Sequence, residues 1–181
     1  MPKKADRRDF LVGTGVAIAL ANLPARAAGD GDAAAEKLLA DIAEEIMVDY
    51  AETATSLGID KDKRVALKSK LQDRSAAGQK TIEQRIAKRL EKLKAVDTSK
   101  LSDAARIDVD VVGTAHEFAA QGFKFPYGDS ALLNTSWAYR NAPYVVAQNT
   151  GAFLEIPSTL DEQHTVENAA GADAYLARLD A

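Results

Sequence analysis

The chain reads as all-α, and three observations predict this. Apolar residues recur at spacings of three and four in successive stretches, as on one face of a helix. No useful length of chain alternates apolar and polar residues, as a half-buried strand would. The later part loses its periodicity to aromatic residues, glycine and proline, which mark an irregular segment.

The elements follow in order. Leu38, Leu39, Ile42, Ile46, Tyr50, Ala54 and Leu57 share one face, which predicts a first helix from about residue 36 to Gly58, a natural stop. Glu36, Asp41, Glu44, Glu45, Asp49 and Glu52 fall mostly elsewhere around it. Asp60 to Gly78 holds Val65, Leu67 and Leu71 amid dense charge, which predicts a helix with a narrow buried face. A third helix from about Gln79 to Ala95 carries the stripe Ile82, Ile86, Leu90 and Leu93. Its charges, Glu83, Arg85, Lys88, Arg89, Glu91 and Lys92, read as a solvated face rather than a nucleic-acid surface. Ser102 is the expected N-cap of a fourth helix. There Ile107, Val111, Ala115 and Phe118 repeat, Val109, Val112 and Ala119 widen the apolar face, and Gly122 closes the helix. Residues 122–142 read as an ordered, aromatic-rich irregular segment. Short helices are expected at about 143–153 and 158–168, and a last one from near Gly171 through Ala174, Tyr175, Leu176 and Leu179.

The first 27 residues have another character. Asp6-Arg7-Arg8-Asp9-Phe10-Leu11 precedes an apolar run, Val12 to Leu23, and Ala25-Arg26-Ala27 offers a small-x-small cleavage site. Basic head, short apolar middle and small-residue site are the layout of an export signal. The paired arginines before x-Phe-Leu point to the twin-arginine route, with the general route as the alternative. An uncleaved anchor is disfavoured, because a spanning helix needs roughly 20 apolar residues. The expected organisation is a signal over 1–27, a flexible leader over 28–35 and a helical body over 36–181. The expected location is the periplasm or the exterior of a bacterium. The expected first partner is the twin-arginine export machinery.

Charge and composition narrow the function classes. The signal carries Lys3, Lys4, Arg7, Arg8 and Arg26 against Asp6 and Asp9; the whole chain is −4, so the remainder is −7. An acidic body argues against nucleic-acid binding, which needs a basic face. No later run is long enough to span a membrane. Cysteine is absent, so disulfides, thiolate metal sites and a cysteine nucleophile are excluded.

Candidate chemistry is sparse. His116-Glu117 begins like the zinc signature His-Glu-x-x-His, but Ala120 stands where the second histidine belongs. His116 therefore reads as a helix histidine, partly buried or at the surface. His164 is the other histidine, flanked by Asp161, Glu162 and Glu167. Ser130, Ser136 and Ser158 lack a nucleophile elbow or triad context, and no phosphate or dinucleotide loop occurs. Trp137, Tyr139, Arg140, Asn141 and Tyr144 combine flat apolar area with polar tips, which suits recognition of a peptide or small organic ligand. The same aromatics could instead pin an irregular segment onto the helices.

From Tyr50 onward the chain resembles the N-terminal part of a large bacterial family, the domain of unknown function 885. The resembling stretches are Ser56-Leu57-Gly58-Ile59-Asp60, Leu101 to Asp108, Ala142-Pro143-Tyr144-Val145-Val146 and Asn149 to Phe153. Ile156-Pro157, Gln163-His164 and Ala172 to Leu179 complete the series. The resemblance covers roughly 36–181. It implies an exported, mostly helical protein of about 600 residues, with a C-terminal His-Glu helix like that of zinc metallopeptidases. On this resemblance the present chain is the N-terminal portion of a larger, incompletely represented domain. No catalytic, cofactor or metal residue carries over to it, and zinc belongs to the missing C-terminal part. The chain alone is then expected to be inactive. Trp137, Tyr139, Arg140, Tyr144 and His164 would form one wall of the full-length cleft. The alternative is a self-contained periplasmic helical binding module without catalysis. A third reading is a truncated product with no function of its own.

Overall fold

The computed structural model describes residues 29–125 and 151–181, and every described regular element is helical. Helix α1 spans Asp32–Asp49 and α2 spans Ala51–Ser56. A 3₁₀ helix covers Asp62–Ser69, α3 covers Ala76–Lys94, and a 3₁₀ turn at Thr98–Lys100 leads into α4, Asp103–Gly122. After the undescribed residues come α5, Ala152–Ser158, a π-helical turn at Thr159–Gln163, and α6, Ala169–Leu179. No helix among the described residues is long and apolar enough to cross a membrane.

Helix α1 starts earlier than its apolar pattern suggests and takes in the last four residues of the stretch read as a leader. The Asp32 carboxylate accepts from Gly29 N at 2.9 Å and from Ser102 N at 2.8 Å, so one side chain ties the start of α1 to the start of α4. Those donors hold its carboxyl below the usual range. Gly31 N adds a bond to the Lys100 carbonyl at 3.1 Å.

The expected single helix up to Gly58 is two helices. It breaks at Tyr50 (φ −125°, ψ 67°), with neither glycine nor proline at the break. Tyr50 stays in a cluster with Ile42, Ile46, Leu93, Leu101, Ala105 and Val109. Ala51 and Ala54, fully buried, turn to a second cluster around Leu67. The break lets adjacent residues face different neighbours. Gly58 then ends α2 with φ +66°, a conformation that glycine adopts without strain.

Asp60 to Gly78 is the larger correction. It is not an α-helix but a 3₁₀ helix followed by an extended link to Ser75. Only Leu67 of its three apolar residues is fully buried, which is too little to hold a longer helix by packing. Arg64 and Lys63 clamp the segment to α1 through Glu44, whose carboxyl they hold down at about 2. Ser75 caps α3 by accepting from Gly78 N at 3.1 Å, so α3 begins three residues before the expected Gln79.

Gly78 is there for space. A Cβ on it would lie 2.2 Å from the Asp73 carbonyl oxygen and 2.5 Å from Asp73 Cγ. Gly78→Ala is therefore expected to destabilise by about 2 kcal/mol, the overpacking strain exceeding alanine's better helix propensity. Thermal unfolding reads this, and a stabilised variant would mean that the Asp73 turn yields freely.

Among the described elements, helices α3 and α4 make the most extensive pairing. Ser102 caps α4 as expected, accepting from Ala105 N at 3.3 Å. The buried face of α4 is only partly the expected one: Val109 and Ala119 lie inside as expected, but the main stripe does not. Ile107, Val111 and Phe118 are 58%, 63% and 67% exposed, while Ala105, Val109, His116 and Ala119 face inward. Two alanines, a valine and a histidine make the inner face, and the large apolar side chains point the other way. Pro157 lies inside α5, where it has no N–H to give. The expected helix at 158–168 is only the π turn after it, and the one at 143–153 falls mostly outside the described residues. Asn168 caps α6 by accepting from Gly171 N at 2.9 Å.

Candidate functional site

Helix α6 docks by an arginine rather than by its leucines. Leu176 and Leu179 are exposed, whereas Arg178 is 1% exposed and lies against α2 and the 3₁₀ helix. Its Nε donates to the Lys70 carbonyl at 2.9 Å, and its Nη2 donates to the Leu67 carbonyl at 3.1 Å and to Thr55 Oγ1 at 2.7 Å. The Thr55 hydroxyl donates onward to Asp60 Oδ2 at 2.9 Å. The guanidinium thus caps the C-terminal carbonyls of the 3₁₀ helix and reaches a carboxylate through the Thr55 hydroxyl. Burial pushes its pKa down from the ordinary arginine value, and the Glu52 and Asp60 charges oppose that.

His164 completes the cluster. It is 7% exposed, and its ring meets Tyr175 edge-on with centroids 5.4 Å apart. Nη1 of Arg178 lies 3.1 Å from His164 Nδ1, and His164 Nε2 lies 3.2 Å from the Gly171 carbonyl. Arginine can only donate and a carbonyl can only accept. The ring is therefore neutral, with its proton on Nε2. Burial lowers its pKa first, and the Arg178 and Lys68 charges lower it further; the Gly171 bond and Asp60 act in the opposite direction.

A second polar cluster joins α1, α3 and α4. Asp49, with a fully buried side chain, binds Arg85 through Oδ1 and Arg89 Nη2 through Oδ2, the latter at 2.6 Å. Arg89 Nε also meets Glu45 at 2.8 Å, and Lys92 meets the other oxygen of that carboxylate at 3.2 Å. His116 Nδ1 donates to the Val112 carbonyl at 2.7 Å. Among the described residues Arg89 Nη1 and His116 Nε2 are buried without a partner. Burial is the main cause that lowers the pKa of His116, and the Arg89 cation adds to it.

Sequence reasoning missed most of this. By residue type Asp49 and Arg89 read as solvated-face residues, and nothing local marks Arg178, Thr55 or Asp60 as a cluster. A signal was present: Arg89 continues the stripe Ile82, Ile86, Leu93, and Asp49 continues Ile42, Ile46. Of the expected cleft wall the structure places His164 alone, in the interior with both ring nitrogens engaged. Trp137, Tyr139, Arg140 and Tyr144 lie outside the described residues, as do the signal residues Arg7, Arg8, Phe10, Leu11, Ala25 and Ala27.

The described residues around His116 do not fit a zinc ion. The unpartnered Nε2 of His116 faces the influence of a cation, Arg89, and Glu117 is paired with Lys94 at 3.2 Å. Among the described residues no three His, Cys, Asp or Glu side chains gather as a metal site. What the two clusters can do chemically is hold helices together.

Fold and clusters define an all-α scaffold whose helices are joined by buried polar clamps. Residues 52–181 match the family model described as "Bacterial protein of unknown function (DUF885)", and the chain belongs to that family. The match begins inside α2, later than the resemblance read from the sequence. No curated protein and no solved structure matches.

Proposed function

We propose that this chain is the N-terminal, supporting part of an exported hydrolase that acts on peptides or similar amides. One observation carries the reading: α4 has an apolar face on each side. Its inner face packs on α3, and Ile107, Val111 and Phe118 stand open on the other. A helix with apolar residues on two opposite faces is expected to be covered on both in the complete fold, and large open apolar faces mark interaction sites. The hydrolase class rests on the resemblance read from the sequence, which implies a C-terminal His-Glu helix; the family model itself is described as of unknown function. On this reading zinc chemistry belongs to residues beyond Ala181. The twin-arginine machinery exports the protein, and the segment around Trp137, Tyr139, Arg140 and Tyr144 contributes to a ligand-binding wall.

The DNA downstream of the Ala181 codon tests the first half of the reading. An open frame leading to a His-Glu helix is expected, and an immediate stop codon would favour the self-contained binding module instead. Phe118→Asp tests the second half. In this chain it should change stability by no more than about 0.5 kcal/mol, as exposed substitutions do. In the longer protein it should cost about 3 kcal/mol or more, because a carboxylate would be buried unpaired. Urea unfolding of both forms decides, and equal effects would mean that the α4 face looks onto solvent in each.

A further inference from the structure

We propose that His164 is an acid-released latch for helix α6. The geometry allows only one protonation state. Nδ1 must carry a bare lone pair to receive Arg178 Nη1 at 3.1 Å, and Nε2 must carry the proton for the Gly171 carbonyl. A second proton would put an N–H on Nδ1, donor against donor and cation against cation. The ring cannot turn its other edge to Arg178 without giving up Gly171.

The surroundings offer the imidazolium little. Arg178 and Tyr175 face the ring from α6, and Lys68 acts on it from the 3₁₀ helix, its Nζ 3.4 Å from Thr165 Oγ1. Asp60, in the link between α2 and the 3₁₀ helix, is the opposing carboxylate, and it already accepts from Thr55. Glu52 of α2 acts on Arg178. Asp161 and Glu162, on the turn that carries His164, are exposed.

The sign follows from linkage. The folded pKa lies below the ordinary 6.5, so between the two values the unfolded or undocked ring binds more protons than the docked one. The contribution of the latch is complete above 6.5 and fades as pH falls toward the depressed value. If the protein is exported, α6 answers to the pH outside the cell.

The site predicts where the opening occurs. His116 also has a lowered pKa, but it sits between α3 and α4. Its protonation loosens that pair, not α6.

Hydrogen exchange of the full chain, corrected for the intrinsic rate at each pH, tests the latch. Between pH 7.5 and 5, α6 amides should lose protection relative to α1. The expected loss is about tenfold for each pH unit by which the His164 pKa is depressed. His164→Asn keeps an acceptor for Arg178 and cannot take the proton, so its α6 protection should be the same at both pH values. Parallel loss in α6 and α1, or a pH-dependent α6 in His164→Asn, overturns the proposal. Should His164→Asn fail to fold, the Cε1–H shift of His164 in the unaltered chain decides. Titration below 6.5 in step with α6 opening supports the latch, and titration at or above 6.5 sinks it.

Discussion

Arg178→Ala is expected to lower the unfolding free energy by about 3–5 kcal/mol, a large share of the total for a domain of this size. The loss does not come from a broken ion pair, since Arg178 has no direct carboxylate partner among the described residues. It comes from what the guanidinium leaves behind. The Leu67 and Lys70 carbonyls, Thr55 Oγ1 and His164 Nδ1 each lose a donor. Unmet buried acceptors cost about 1–3 kcal/mol each, and water entering the vacated space offsets part of the sum. Arg178→Lys separates charge from shape. An ammonium keeps the charge but cannot span four acceptors spread around a planar fork, so about half the loss should remain. Urea unfolding should show the midpoint falling with the slope unchanged. A lysine variant as stable as the unaltered chain would mean that charge alone docks α6.

The same arginine shows why part of this fold was legible in the sequence and part was not. Caps and stops are local, so Ser102 and Gly58 could be read directly. The stripes Ile42–Ile46 and Ile82–Ile86–Leu93 are periodic, and they face inward as expected. Periodicity finds an apolar face but does not say which face meets a neighbour. On α4 the stripe Ile107, Val111, Ala115 and Phe118 points outward, and Val109 and Ala119, expected only to widen that face, are the buried ones. Charged residues at stripe positions were read by type rather than by position. Nothing local tells that Arg89 on α3 meets Asp49 on α1, 40 residues away. His164 and Arg178 are 14 residues apart across a turn and a helix start, a separation with no periodic signature. The 3₁₀ segment was missed because charge density says nothing about whether one buried leucine can sustain an α-helix.

Asp49→Ala should be the most damaging single change in the second cluster, at about 3–5 kcal/mol, because it strands a buried cation. The Arg89 side chain is 1% exposed, Nη1 already lacks a partner, and its remaining carboxylate, Glu45, is 41% exposed and shared with Lys92. The reverse change is expected to cost less, about 2–3 kcal/mol for Arg89→Met, since Asp49 keeps Arg85 and methionine fills the vacated stem volume. Asp49→Leu with Arg89→Met should come within about 1 kcal/mol of the unaltered chain, because two apolar side chains need no compensation for lost hydration. A double-mutant cycle closed with Asp49→Leu and Arg89→Met as its single changes then returns a coupling of several kcal/mol although the pair contributes little net stability. That combination would identify the pair as a device for alignment. Asp49 sits one residue before the break at Tyr50, so its bond to Arg89 sets the rotation of α1 against α3 where the chain turns toward α2. A coupling below about 0.5 kcal/mol would instead mean that water already reaches Arg89, and that apolar packing around Ile46 and Leu93 alone holds the two helices in register.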